Sequence, residues 1–141
     1  MNFDLVMNQH PQILIAEDDF EDRFIMSSTF FDLGCEHDIQ LVEDGVGLIE
    51  YLDEKGADAI KLIILDLNMP RLNGTETLMA LKNDPKYKLI PVIFFSTSVN
   101  DAEINICMEN GAQDYVAKPA KYSEYMETCR MFYNISQGIR A

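Results

Sequence analysis

Apolar positions along this chain fall into two alternating kinds of run. Gln12-Ile-Leu-Ile-Ala16 is short, apolar and followed at once by acids, the pattern of a buried strand. Phe20, Phe24, Ser27 and Phe31 then recur at helical spacing, and Gly34 stands where such a helix would stop. Asp38-Ile-Gln-Leu-Val42 alternates like a strand with one buried face, and Leu48, Tyr51 and Leu52 predict a short helix closed near Gly56. Lys61-Leu-Ile-Ile-Leu65 is the most uniformly apolar run and ends in Asp66. Asn73, with Glu76 three positions on, predicts a capping pair; Leu78 and Leu81 share a face of the helix it opens, which should stop before Pro85. Pro91-Val-Ile-Phe-Phe95 reads as a fourth strand and Asp114-Tyr-Val-Ala117 as a fifth, with a helix from Asp101 to Asn110 between them, closed by Gly111. The last helix begins near Lys121 and carries a stripe of Tyr122, Tyr125, Cys129, Phe132 and Ser136.

Five strands alternating with five helices predict an α/β fold, a doubly wound parallel sheet covered on both faces. Three of the strands are nearly continuous apolar runs, as burial on both sides requires. With 141 residues, 48% of them hydrophobic, the chain has the material for one domain. We expect residues 1–11 to form an N-terminal extension, frayed at its start, and residues 12–141 to form the folded unit. Acids outnumber bases by 24 to 11, a net charge of −13, which disfavours nucleic acid and anionic membranes and suits a divalent cation or a basic partner. No apolar run is long enough to span a bilayer, and the first residues lack a secretory pattern, so a cytoplasmic location is expected. Cys35, Cys107 and Cys129 are odd in number and far apart, which predicts reduced thiols packed in the core. His10 and His37 are the two histidines, too few for a histidine-rich zinc site.

In an open α/β sheet, ligands bind beyond the carboxyl ends of the strands. Those ends carry Glu17 and Asp18 after the first strand, Asp66 after the third, Ser96 after the fourth and Lys118 after the fifth. Three carboxylates, a hydroxyl and an ammonium would therefore meet at one edge. Crowded carboxylates raise one another's pKa unless a cation sits among them, and hard oxygen donors of this kind suit Mg²⁺. Taken singly, Asp18 or Asp19 reads as a helix cap, Asp66 as a turn acid and Lys118 as a surface charge.

Glu17-Asp18, Asp66-Leu-Asn-Met-Pro70 with Gly74, Ser96-Thr97 and Lys118-Pro119, in that order and each ending a predicted strand, resemble the receiver domain of two-component response regulators. The resemblance runs from about Gln12 to Ser136, with spacings like those of single-domain chemotaxis regulators. Leu67 to Ser98 looks closest to stand-alone receivers that partner bacterial phytochrome kinases. It implies a flavodoxin-like sheet of order 2-1-3-4-5. Asp66 would be the phosphoacceptor, taking a phosphoryl group from a sensor histidine kinase or phosphotransfer protein. Glu17 (through water), Asp18, Asp66 and the backbone carbonyl of Asn68 would hold Mg²⁺, with Mn²⁺ able to substitute. Lys118 and Ser96 would bind phosphoryl oxygens. Tyr115, Ile104 and Met108 would carry the switch to an unidentified downstream protein, and the chain would be a signalling protein rather than an enzyme. Glu17 and Ser96 stand where aspartate and threonine are commoner, and Ala120 where a large apolar residue is frequent. The stretch from Asp18 to Asp66 is a few residues longer than the compact pattern, an excess expected in loops around the second strand. Two other readings compete: a receiver-like interaction module that is never phosphorylated, and a strand-end-aspartate phosphohydrolase. The second wants an aspartate two positions after the nucleophile, where this chain has Asn68.

Overall fold

The computed structural model of the protein describes residues 10–98 and 100–139, so most of the expected N-terminal extension lies outside the described residues. The strands are β1 (Ile13–Ala16), β2 (Ile39–Val42), β3 (Leu62–Leu65), β4 (Val92–Ser96) and β5 (Asp114–Ala117). Between and after them come α1 (Phe20–Asp32), α2 (Gly45–Lys55), α3 (Gly74–Lys82), α4 (Asp101–Glu109) and α5 (Tyr122–Ser136). The strands form one parallel sheet in the order β2-β1-β3-β4-β5, so the chain reverses its direction of winding between β1 and β3.

Successive residues of a strand point to opposite faces, and the central strands use both faces for burial. Leu14, Ala16, Ile63, Leu65, Val92 and Phe94 pack with Leu48 and Leu52 of α2, Leu78 and Leu81 of α3, and Cys107 of α4. Ile13, Ile15, Leu62, Ile64, Ile93 and Phe95 pack with Met26 and Phe30 of α1 and with Tyr125, Cys129 and Phe132 of α5. The three cysteines are buried and free, as their spacing predicts.

Helix boundaries follow the local chemistry. Asn73 accepts from the Glu76 amide at 2.8 Å while the Glu76 side chain accepts from the Asn73 amide at 3.1 Å, which completes the predicted capping pair. Asp44 caps α2 through the Gly47 amide and also receives Arg71, by Nε at 2.7 Å and by its terminal nitrogen at 2.9 Å. Arg71 holds a left-handed backbone (φ 64°), which turns the chain after Pro70 and brings its guanidinium onto Asp44.

Two expectations change. Phe20, Phe24 and Phe31 of α1 face solvent, and the buried face carries Met26, Thr29 and Phe30 instead. Both sets have helical periodicity; the buried one starts at Asp22, a charged position that hides it in a hydrophobicity pattern. Strand β2 lies at the sheet edge and all four residues are half-buried, without the alternation that the sequence suggests; Asp38 belongs to a short 3₁₀ turn, Glu36–Asp38, ahead of it.

Candidate functional site

Parallel pairing sets the strand ends side by side. Ala16 pairs with both Val42 and Leu65, so Glu17 and Asp66 emerge together, each amide held by a neighbouring strand: Glu17 to the Val42 carbonyl at 3.0 Å, Asp66 to the Ala16 carbonyl at 3.1 Å. On the other side Ser96 pairs with Ala117, and the Lys118 amide donates to the Ser96 carbonyl at 2.9 Å. Glu17, Asp18, Asp66, Ser96 and Lys118 thus lie along one sheet edge, at the crevice where the winding reverses.

One carboxylate oxygen from each of Glu17, Asp18 and Asp66 lies within 4.8 Å of the others. Glu17 and Asp66 are buried, whereas Asp18 is exposed. The Lys118 ammonium, its side chain 6% exposed, pairs with Glu17, meets Asp22 at 2.8 Å and stands 3.6 Å from Asp66. Arg23 donates to the backbone carbonyls of Glu17 (2.9 Å) and Asp18 (2.8 Å), which fixes the acidic turn. Asp19, not Asp18, caps α1, by accepting from the Glu21 amide. Asp18 is thereby left free of a capping role.

Charge is unbalanced here. Burial raises the Glu17 carboxyl to about 8; Asp66 adds to the rise and Lys118 opposes it. Lys118 loses solvation through burial, yet its bonds to Asp22 and Glu17 and the charge of Asp66 outweigh that loss and push its pKa up. A single ammonium thus faces three carboxylates, with Asp18 beside them. An all-oxygen donor set with surplus negative charge fits a hard divalent cation, and Glu17, Asp18 and Asp66 are the side chains positioned to hold one.

Asn68 is exposed, two residues beyond Asp66 in the loop before α3. Gly74 seals that loop: a Cβ there would lie 2.4 Å from the Asp66 carbonyl oxygen and 2.7 Å from the Phe94 ring. Tyr115, half-buried, stacks on Phe94 with ring centroids 6.0 Å apart and donates to the Ser98 carbonyl at 2.8 Å. On α4, Met108 is exposed and Ile104 is half-buried, so neither joins the carboxylate cluster. Asp22 went unmarked in the sequence, where an acid in the first turn of a helix reads as a complement to the helix dipole. Its position one turn after Asp18 is the signal that could have singled it out. A larger cleft, about 560 Å³ and lined by Pro91, Gln113, Met131 and Ile135 among others, opens at the opposite, amino-terminal edge of the sheet. Among the described residues, no helix is long and apolar enough to cross a membrane.

The profile of the response regulator receiver domain matches residues 13–130. Chemotaxis protein CheY1 of Helicobacter pylori is 34% identical over 108 residues, covering 77% of this chain and 85% of that protein. The phosphorylated cyanobacterial phytochrome response regulator RcpA has a similar fold, with a TM-score of 0.80 at 29% identity over 94% of this chain and 97% of the other. The Mn²⁺-bound form of response regulator Rcp1 matches with a TM-score of 0.75 at 25% identity, covering 86% of this chain and 91% of the other.

Proposed function

This chain belongs to the response regulator receiver domains of two-component systems, and on that footing we propose that Asp66 accepts a phosphoryl group from a histidine kinase or phosphotransfer protein. The observation that carries this reading is the buried Asp66 carboxylate, with a charged lysine on one side and two further acids on the other, at the end of β3. In the reaction an Asp66 oxygen forms a bond to phosphorus as the bond from phosphorus to the donor histidine nitrogen breaks, which leaves an acyl phosphate. Such a step is governed by positioning and charge neutralisation. The sheet fixes Asp66, Lys118 supplies positive charge to the transferred oxygens, and the Ser96 hydroxyl, at the end of the neighbouring strand, donates to another.

Asp18, Asp66 and the Asn68 carbonyl would hold Mg²⁺, with Glu17 contributing through water; the Mn²⁺-bound form of the similar regulator Rcp1 supports a divalent ion here. When bound, the ion neutralises the carboxylates and the phosphoryl oxygens. Residues 12–141 act as the receiver unit, with 1–11 as an extension. Phosphorylation is read out at the face made by α4, β5 and α5, where Tyr115 bonds the β4–α4 loop and Ile104 and Met108 offer apolar contact to a downstream protein. Incubation with acetyl phosphate and Mg²⁺ should add one phosphoryl group, seen by intact mass, and Asp66→Asn should take up none. Equal uptake by the mutant, or none by the parent, would overturn the assignment.

A further inference from the structure

We infer that Asp22 is a positioning residue: it holds Lys118 in the resting protein and competes for it with the phosphoryl group on Asp66. The inference rests on the reading of Asp66 as phosphoacceptor. Lys118 is the cation proposed to meet the phosphoryl oxygens, yet its ammonium is 2.8 Å from Asp22 and 3.6 Å from Asp66, the latter beyond hydrogen-bond reach. In the resting arrangement the lysine is therefore committed to Asp22 and Glu17. Asp22 is built into that role by its helix. It precedes Met26, Thr29 and Phe30 on the buried stripe of α1, so the face that packs on the sheet also aims this carboxylate at the end of β5.

A ligand shifts a balance only through contacts that differ between the two states. A phosphoryl group gains the lysine to the extent that Asp22 gives it up, so Asp22 stabilises the resting side. Release would leave a partly buried carboxylate without its partner, a costly outcome unless another donor is at hand. The Tyr125 hydroxyl is such a donor. Among the described residues it is buried without a hydrogen-bond partner, and it lines a cleft of about 390 Å³ together with Asp22, Ile25, Thr97, Lys118 and Tyr122.

The test is a titration of the Mg²⁺-saturated full chain with beryllofluoride, a phosphoryl mimic, followed by amide shifts around Asp66. Asp22→Asn and Asp22→Ala should each bind the mimic about fivefold more tightly than the parent, the scale set by loss of one partly exposed ion pair. Asp22→Glu, which keeps the carboxylate, should restore the parental affinity. Glu21→Gln removes the same charge from the same helical turn without touching Lys118, and should leave affinity unchanged. Equal or weaker binding by both Asp22 variants overturns the inference, as does equal tightening by Glu21→Gln. If the parent binds no beryllofluoride, the phosphoacceptor reading itself fails and the inference falls with it; parental binding with unchanged variants removes only the role of Asp22.

Discussion

Glu17 is the most heavily buried acid of the site, at 1% exposure, and it is where the strain of crowding collects. Its carboxyl is raised from 4.5 to about 8, first by burial and then by Asp66. A group whose folded pKa lies above its unfolded value contributes stability at low pH and loses it as pH rises through the folded pKa. In metal-free solution the parent should therefore lose part of its stability between about pH 4.5 and 8. Glu17→Gln cannot ionise, so its melting temperature should change less across that window and exceed the parent's at pH 8 by about 4 °C. Thermal melts in chelator across the window check this, and parallel curves would show that Glu17 does not carry the crowding. In the sequence the repulsion belongs to the acids jointly, with nothing to rank Glu17 above Asp18. The structure places Asp18 in solvent and the burden on Glu17, a distinction set by strand pairing that no spacing along the chain expresses.

At the scale of elements, the site depends on how closely α3 approaches the loop after β3. Gly74 opens that helix, and a methyl group there would overlap the Asp66 carbonyl oxygen, the Phe94 ring and the Leu67 backbone. Gly74→Ala should destabilise the fold by about 2 kcal/mol and slow phosphorylation, because relief of the overlap must move the Asp66 backbone. Gly47→Ala is the matched control, since its added methyl would meet neighbours only at 3.5 Å and beyond and would sit within α2. Denaturant melts that rank the two variants equally would argue against the close approach. The strands, the Asn73 cap and the α5 stripe were readable because each rests on local chemistry: apolar runs, a side chain that bonds an amide three positions on, and a repeat of helical period. The inward face of α1 was not, because three exposed phenylalanines outweigh a buried stripe headed by an aspartate. The bonds of Arg71 to Asp44 and of Lys118 to Asp22 join residues remote in sequence, which only the folded topology brings together.

Over the whole molecule, a sheet whose winding reverses between β1 and β3 gathers the ends of β1, β3, β4 and β5, and brings Glu17, Asp18 and Asp66 together where a cation and a lysine can answer their charge. The order of the motifs foretold this gathering, since each site residue closes a strand of a doubly wound sheet. The hydrogen bond from Tyr115 to the Ser98 carbonyl ties β5 to the loop that follows Ser96, the contact through which the proposed phosphorylation would reach the proposed α4–β5–α5 output face. The proposed function hangs on one covalent event at one carboxylate. An acyl phosphate is reduced by borohydride to an alcohol, which marks the modified residue permanently. After incubation with acetyl phosphate and Mg²⁺, reduction and peptide mapping by mass spectrometry should find the aspartate at position 66 converted to homoserine, with Glu17, Asp18 and Asp22 unchanged. Conversion at any of those other acids instead, or at none, would contradict the account.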